Sequence, residues 1–169
     1  RDAAGHHRRL QLMRPPRPPA RALLLALFVG TAVQAQTLTN TGALSFGSFT
    51  AGTGGTVTVS AAGARSKSGG VILVSQGGVA AAAQFTVSGT PSATFTITLP
   101  ADGTVFLSDG ASGSMALNSF TSNPPNTASA GLLSGGGTAT VSVGATLTVG
   151  NAQTPGNYSG SFTVTVNYP

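Results

Sequence analysis

The sequence predicts an all-β domain, and three features carry that prediction. Short runs of alternating apolar and small polar residues recur along the chain. Glycine-bearing turns separate these runs. No stretch after residue 35 has the 3.6-residue period of an amphipathic helix. Short strands with one apolar face bury that face by closing upon one another, so we expect an Ig-like antiparallel β-sandwich.

The positions of the strands follow from residues that lie two apart, because such residues share one face of a sheet. Paired apolar residues of this kind are the predicted core: Val57 and Val59, Phe85 and Val87, Phe95, Ile97 and Leu99, Val141 and Val143, and Leu147 and Val149. Strands are predicted at 43–49, 55–60, 71–75, 84–88, 94–99, 104–107, 114–120, 138–143, 145–149 and 158–168.

The strand predicted last, 158–168, has the clearest alternation of the chain. Its polar face carries serine, threonine and asparagine at the intervening positions. A strand with one apolar face packs that face into a core. The apolar face comprises Tyr158, Gly160, Phe162, Val164, Val166 and Tyr168.

Near the end of the chain, Gly156 is the fourteenth residue from the end, alternating hydrophobic residues follow it, and the aromatic Tyr168 is penultimate. This segment resembles the ending of subunits of chaperone–usher pili. Further motifs are Leu-Ser-Phe-Gly at 44–47, Ala-Gln-Phe-Thr-Val-Ser-Gly-Thr-Pro at 83–91, Phe-Thr-Ile-Thr-Leu-Pro at 95–100 and Val-Gly-Ala-Thr-Leu-Thr-Val at 143–149. Through these motifs the chain is similar to an uncharacterised family of bacterial secreted domains, a domain of unknown function related to those pilins and to spore coat protein U.

The resemblance implies a pilin-like sandwich that lacks one strand, which a partner donates. It implies two kinds of partner, a periplasmic chaperone that grips the last strand and copies of the protein or related subunits. The candidate donor is a short N-terminal extension, 36–43, which continues to Leu44 and places Leu38, Gly42 and Leu44 on one face. The expected function is that of a secreted structural or adhesive subunit associating by β-strand addition at the cell surface.

Residues 1–35 have the three parts of a secretory leader. A basic stretch reaches Arg21, an apolar run follows at 22–29, and small residues end at Ala35, where we expect cleavage. The apolar run is shorter than the roughly 20 residues that span a bilayer, so no stable membrane anchor is expected after cleavage. Met13 stands directly before this signal and is an alternative start. Export by the Sec route to the periplasm, cell surface or medium follows.

The net charge of +5 lies in the leader, which holds six arginines and one aspartate. After the leader come the extension at 36–43 and one predicted domain at 44–169. The charged residues of this domain are Arg65, Lys67, Asp102 and Asp109. Its neutrality argues against a nucleic-acid partner. Without His, Cys or Glu it lacks the usual general bases, thiol nucleophiles and transition-metal ligands, so we expect no enzyme, no metal and no cofactor.

The four charged residues of this domain lie in predicted loops. Asp102 and Asp109 each precede glycine, which is typical of turns whose carboxylate accepts from nearby backbone amides. Arg65 and Lys67 lie between two predicted strands, where solvated surface charge is the default and contact with an acidic glycan or a neighbouring subunit is the alternative.

Two further functional hypotheses follow from the same residues. The chain can be a self-complete monomeric sandwich that binds carbohydrate or another surface, with the C-terminal strand in its own core. Threonine ladders in the strands also fit an ice- or mineral-facing protein, although threonine is the usual outward residue of a soluble strand.

Overall fold

The computed structural model describes residues 36–127 and 130–168. The leader, its cleavage site and Met13 lie outside the described residues. All the described residues belong to one compact unit. Within these ranges the secondary structure is entirely β, and no helix there is long and apolar enough to cross a bilayer. The strands are β1 Thr37–Gly42, β2 Phe49–Thr50, β3 Gly55–Val59, β4 Arg65–Gly69, β5 Ile72–Leu73, β6 Ala83–Ser88, β7 Thr94–Thr98, β8 Val105–Ser108, β9 Ser114–Asn123, β10 Gly131–Leu132, β11 Thr138–Val149 and β12 Thr165–Asn167.

The strands pair antiparallel in three sheets. The largest sheet has seven strands, with the order β1-β6-β11-β3-β4, and β9 pairs with both β11 and β8. A second sheet has the order β10-β7-β12, and β2 pairs with β5 alone. The predicted all-β, antiparallel, sandwich-like architecture is confirmed.

The core consists of the apolar faces of these sheets and forms two clusters of buried residues. Of the predicted core residues, only Leu99 is not buried; it packs half-exposed against the second cluster. Buried residues that were not among the predicted core include Phe46, Val71, Met115, Leu117 and Leu133.

Strand β11 is continuous, where the sequence predicted two strands separated at Gly144. Its first half pairs with β6 and its second half with β3, so one long strand joins two shorter ones. A side chain at Gly144 would collide with the Val59 carbonyl oxygen, which explains the glycine at this junction. The register with β9 also shifts here, between Gly144 and Thr146.

Two segments that were predicted as something other than domain strands belong to the sheets. Residues 65–69 were predicted as a polar loop, but they form β4 and pair along their whole length with β3. The predicted N-terminal extension is part of the domain, since β1 pairs with β6 from Thr37 opposite Ser88 onward. Neither segment has the apolar alternation that identified the other strands.

Candidate functional site: a groove between two open edges

The C-terminal segment is paired near its two ends and open between them. Ser159 exchanges two backbone hydrogen bonds with Ser108, each 2.9 Å long, and β12 pairs with β7. Between these points, the backbone of Gly160 to Val164 makes no hydrogen bond to any other described backbone group. In extended chain, alternate residues direct their amide groups to opposite edges. The amides of Gly160, Phe162 and Val164 therefore face away from β7 and β8.

A second open edge lies near the N-terminus of the domain. Ser45 exchanges backbone hydrogen bonds of 2.8 and 2.9 Å with Ala81. The neighbouring residues, Leu44 and Phe46, consequently direct their amides and carbonyls to the opposite edge, where no described backbone group bonds to them. This segment and the C-terminal segment thus each present main-chain groups that pair with no described backbone group.

A cavity of about 780 Å³, here called the groove, is lined by both open-edged segments. One wall is 43–51 and the other is 153–162. None of the lining residues is charged. The walls carry both polar and apolar residues, and the buried residues of the lining are apolar. The large apolar side chains of the lining, buried or half-buried, are Leu44, Phe46, Phe49, Phe85, Leu107, Met115, Leu117, Leu147, Tyr158 and Phe162.

The C-terminal wall begins at a small hydrogen-bond network around Tyr158. The Tyr158 hydroxyl donates to the Thr154 carbonyl oxygen at 2.8 Å and accepts from Gln153 Nε2 at 2.8 Å. Gln153 Nε2 also lies 3.3 Å from the Ser114 carbonyl oxygen on β9. This network ties the loop that precedes the C-terminal segment to the large sheet.

The N-terminal wall is supported from beneath by Arg65. Its guanidinium donates through Nη2 to the Ser48 carbonyl oxygen and through Nη1 to that of Val74, at 3.4 Å. Its Nε is inaccessible to solvent and has no hydrogen-bond partner among the described groups. Gly47, at φ +63°, lies directly over this guanidinium: a Cβ there would approach Nη1 to 3.1 Å. Arg65 is therefore half-buried, contrary to the predicted solvated charge.

The predicted C-terminal face is recovered, but its strand is shorter than predicted. Val164 is buried, and the aromatic and branched residues on either side of it are half-buried while the intervening residues are exposed. Strand β12 covers only 165–167, because the chain from 160 to 164 has no partner strand. Gly156 and Gly160 are exposed; a side chain at Gly160 would come 2.5 Å from the Phe106 carbonyl oxygen.

The candidate donor residues occupy places within the same chain. Leu38 packs half-buried against the second core cluster, and Gly42 approaches Gln84 of β6 closely. Leu44 lines the groove as part of its wall. In the single chain the segment is thus engaged with its own domain, and donating it to another copy would first require β1 to leave β6.

The remaining predicted residues have structural positions. Asp109 Oδ1 accepts hydrogen bonds from the amides of Ala111 and Gly113 at 2.8 and 2.9 Å, as predicted for a turn. Asp102 instead reaches the amide of Ser119, on β9, at 2.6 Å. Lys67 is exposed on β4. No group of three metal-ligating side chains occurs among the described residues.

The groove itself was not predicted. Its walls lie more than a hundred residues apart in sequence, and no local pattern reports that two distant edges border one space. The signal that was available is the alternation of Leu44 and Phe46, which marks a strand with an apolar face.

Together these features define the class of the protein: a sandwich-like, all-β domain in which two open-edged segments of the chain line an uncharged groove. Residues 37–168 match the family described as Domain of unknown function (DUF4402), and the chain belongs to that family. No curated protein and no solved structure is significantly similar to the chain.

Proposed function

We propose that this protein is a secreted structural or adhesive subunit that associates with other chains by β-strand addition at the cell surface. The single observation that supports the proposal is the groove with an open edge on each wall. A strand laid into it would satisfy main-chain groups on both walls and bury alternate side chains in an apolar floor, which is how strand addition combines affinity with specificity.

The chemistry of the groove restricts the added strand. Because no lining residue is charged, a charged side chain directed into the groove would lose its hydration without gaining a partner. The strand is therefore expected to present uncharged, mainly apolar side chains at alternate positions. This added strand comes from a copy of this protein, from a related subunit, or from a periplasmic chaperone that the protein meets after the leader at 1–35 has directed its export.

The experiment is photo-crosslinking from the groove. A benzophenone amino acid replaces Phe49, which is half-buried and lines the groove. The matched control carries it at Phe106, an aromatic residue 53% exposed that does not line the groove. The protein is expressed with its leader, irradiated in intact cells and analysed by mass spectrometry.

We expect adducts from position 49 to a strand of another chain, with an alternating uncharged sequence, and few from position 106. Equal adducts from both positions, or adducts from position 49 only within the same chain, would contradict strand addition at the groove.

A self-complete monomer that binds carbohydrate or another surface is the second candidate. The pairing of β1 within the chain and the exposed Phe106 favour it, since an exposed aromatic ring suits a binding face. Light scattering and a glycan array separate the two candidates. The second is supported if the protein is a monomer at every concentration, binds glycans on the array, and loses that binding in the variant Phe106→Ser.

A further inference from the structure

Strand β4 lies at an outer end of the large sheet, where it pairs with β3 and has no partner on its other edge among residues 36–127 and 130–168. The free edge of a strand is a template for pairing with another chain. The charges of the described residues sum to zero, so little long-range repulsion between these parts of two copies opposes such pairing. The question is what keeps this edge from joining another copy.

Both cationic residues of the described part of the chain are on this strand, and both lie on the face of the strand that is directed toward the core. Arg65 lies opposite Val59, and Lys67 lies opposite Val57. Both valines are fully buried. Because residues directly opposite each other share a face of the sheet, the two cations lie on the inner face of β4. Charged residues that point inward on an edge strand are one of the devices by which natural sheets prevent edge-to-edge association.

The two cations behave differently. Arg65 turns inward to the carbonyl oxygens of Ser48 and Val74 and is engaged. Lys67 is exposed and is the middle residue of the five-residue strand. The other two terminal strands of the sheet, β1 and β8, have no charged residue. The charge is thus concentrated on one of the three terminal strands.

The central position of Lys67 has a geometric consequence. Two copies of β4 that pair antiparallel over their full length place residue 67 of each copy directly opposite residue 67 of the other, and Ser66 opposite Ser68. Side chains in such pairs lie about 4.5–5.5 Å apart at Cβ, and like charges there are destabilising. We propose that Lys67 bars β4 from pairing with β4 of a second copy, so that copies associate through other surfaces. This proposal does not depend on whether the groove accepts a strand.

A charge-swap experiment with cysteine probes tests the proposal, since the chain has no native cysteine. One copy carries Ser68→Cys with Lys67 intact, and the other carries Ser66→Cys with Lys67→Glu. These cysteines lie opposite each other only in the full-length antiparallel register. The rate of heterodisulfide formation under mild oxidation is measured for the swapped mixture. Two controls use the same cysteines, one with lysine and one with glutamate at position 67 in both copies.

We expect the swapped mixture to form the heterodisulfide at least about fivefold faster than either control, because a repulsive pair becomes an attractive one. The excess should vanish in high salt. Denaturation midpoints should match between the proteins, since residues 66–68 are exposed. Equal rates in all three mixtures, or no heterodisulfide in any of them, would overturn the assignment to Lys67.

Discussion

Replacing Val164 with aspartate perturbs the C-terminal segment where it is most deeply buried. Val164 is 8% exposed, and no member of the cluster around it is charged. The substitution removes a buried apolar side chain, which contributes about 1.5–3 kcal/mol. It also places a carboxyl group without a hydrogen-bond partner, which costs at least the roughly 1–3 kcal/mol of an unpaired neutral polar group in proteins. The combined loss, at least about 2.5–6 kcal/mol, is a large part of the roughly 5–15 kcal/mol that stabilises a domain.

The matched control is Thr163→Asp, which adds the same charge to the exposed neighbour on the opposite face. Urea-induced unfolding at pH 7 should show a large loss for Val164→Asp and a change within about 0.5 kcal/mol for Thr163→Asp. Burial raises the pKa of the introduced carboxyl above its unfolded value, so the folded state binds the proton more tightly. Val164→Asp should therefore recover part of its stability as the pH falls toward 4. Equal unfolding midpoints for the two variants at pH 7 would refute the buried position of the segment.

Three further predictions concern side chains that border the groove or the core. Burial raises the pKa of Tyr168, whose hydroxyl has no hydrogen-bond partner. The wild type should therefore lose stability above about pH 10, where the unfolded chain releases this proton more readily than the folded one. Tyr168→Phe should have the same unfolding free energy as the wild type at pH 7 and should lose less of it above about pH 10. Tyr158→Phe removes two hydrogen bonds and should lower the unfolding free energy by about 1 kcal/mol in urea. Arg65→Met removes the hydrogen bond to the Ser48 carbonyl oxygen and should lower the melting temperature measured by calorimetry. Lys67→Met should shift the melting temperature by no more than a degree or two, because a substitution of an exposed residue changes the unfolding free energy by about 0.5 kcal/mol at most. Equal effects of the last two substitutions would contradict the support by Arg65.

The core could be predicted from sequence because the two-residue period acts locally. Residues such as Val57 and Val59 need only their own strand to be recognised, and they are fully buried. Strand β4 escaped prediction because its sequence, Arg-Ser-Lys-Ser-Gly, has no apolar residue. It forms a strand because it pairs with β3. That pairing depends on the arrangement of the sheet and not on the local sequence of β4.

The candidate site was predictable only in part, for the same physical reason. The alternation through Val164 identified a face that packs, but alternation does not report whether a strand has one neighbour or two. The chain at Gly160 has no partner on either side, and this distinction creates the open wall of the groove. Leu44 illustrates the same limit: its apolar side chain suits an added strand and a wall equally well, and in the single chain the pairing of Ser45 with Ala81 places it in the wall.

The most direct test of the open groove is amide hydrogen exchange at Gly160, Phe162 and Val164, measured in the monomer and in the assembled protein. Open amides exchange fast, and amides paired in a ladder are protected. We predict fast exchange at these three amides in the monomer, with protected amides in β7 as the internal reference, and strong protection of all three after assembly. Protection already present in the monomer, or exchange that stays fast in the assembled form, would contradict the account.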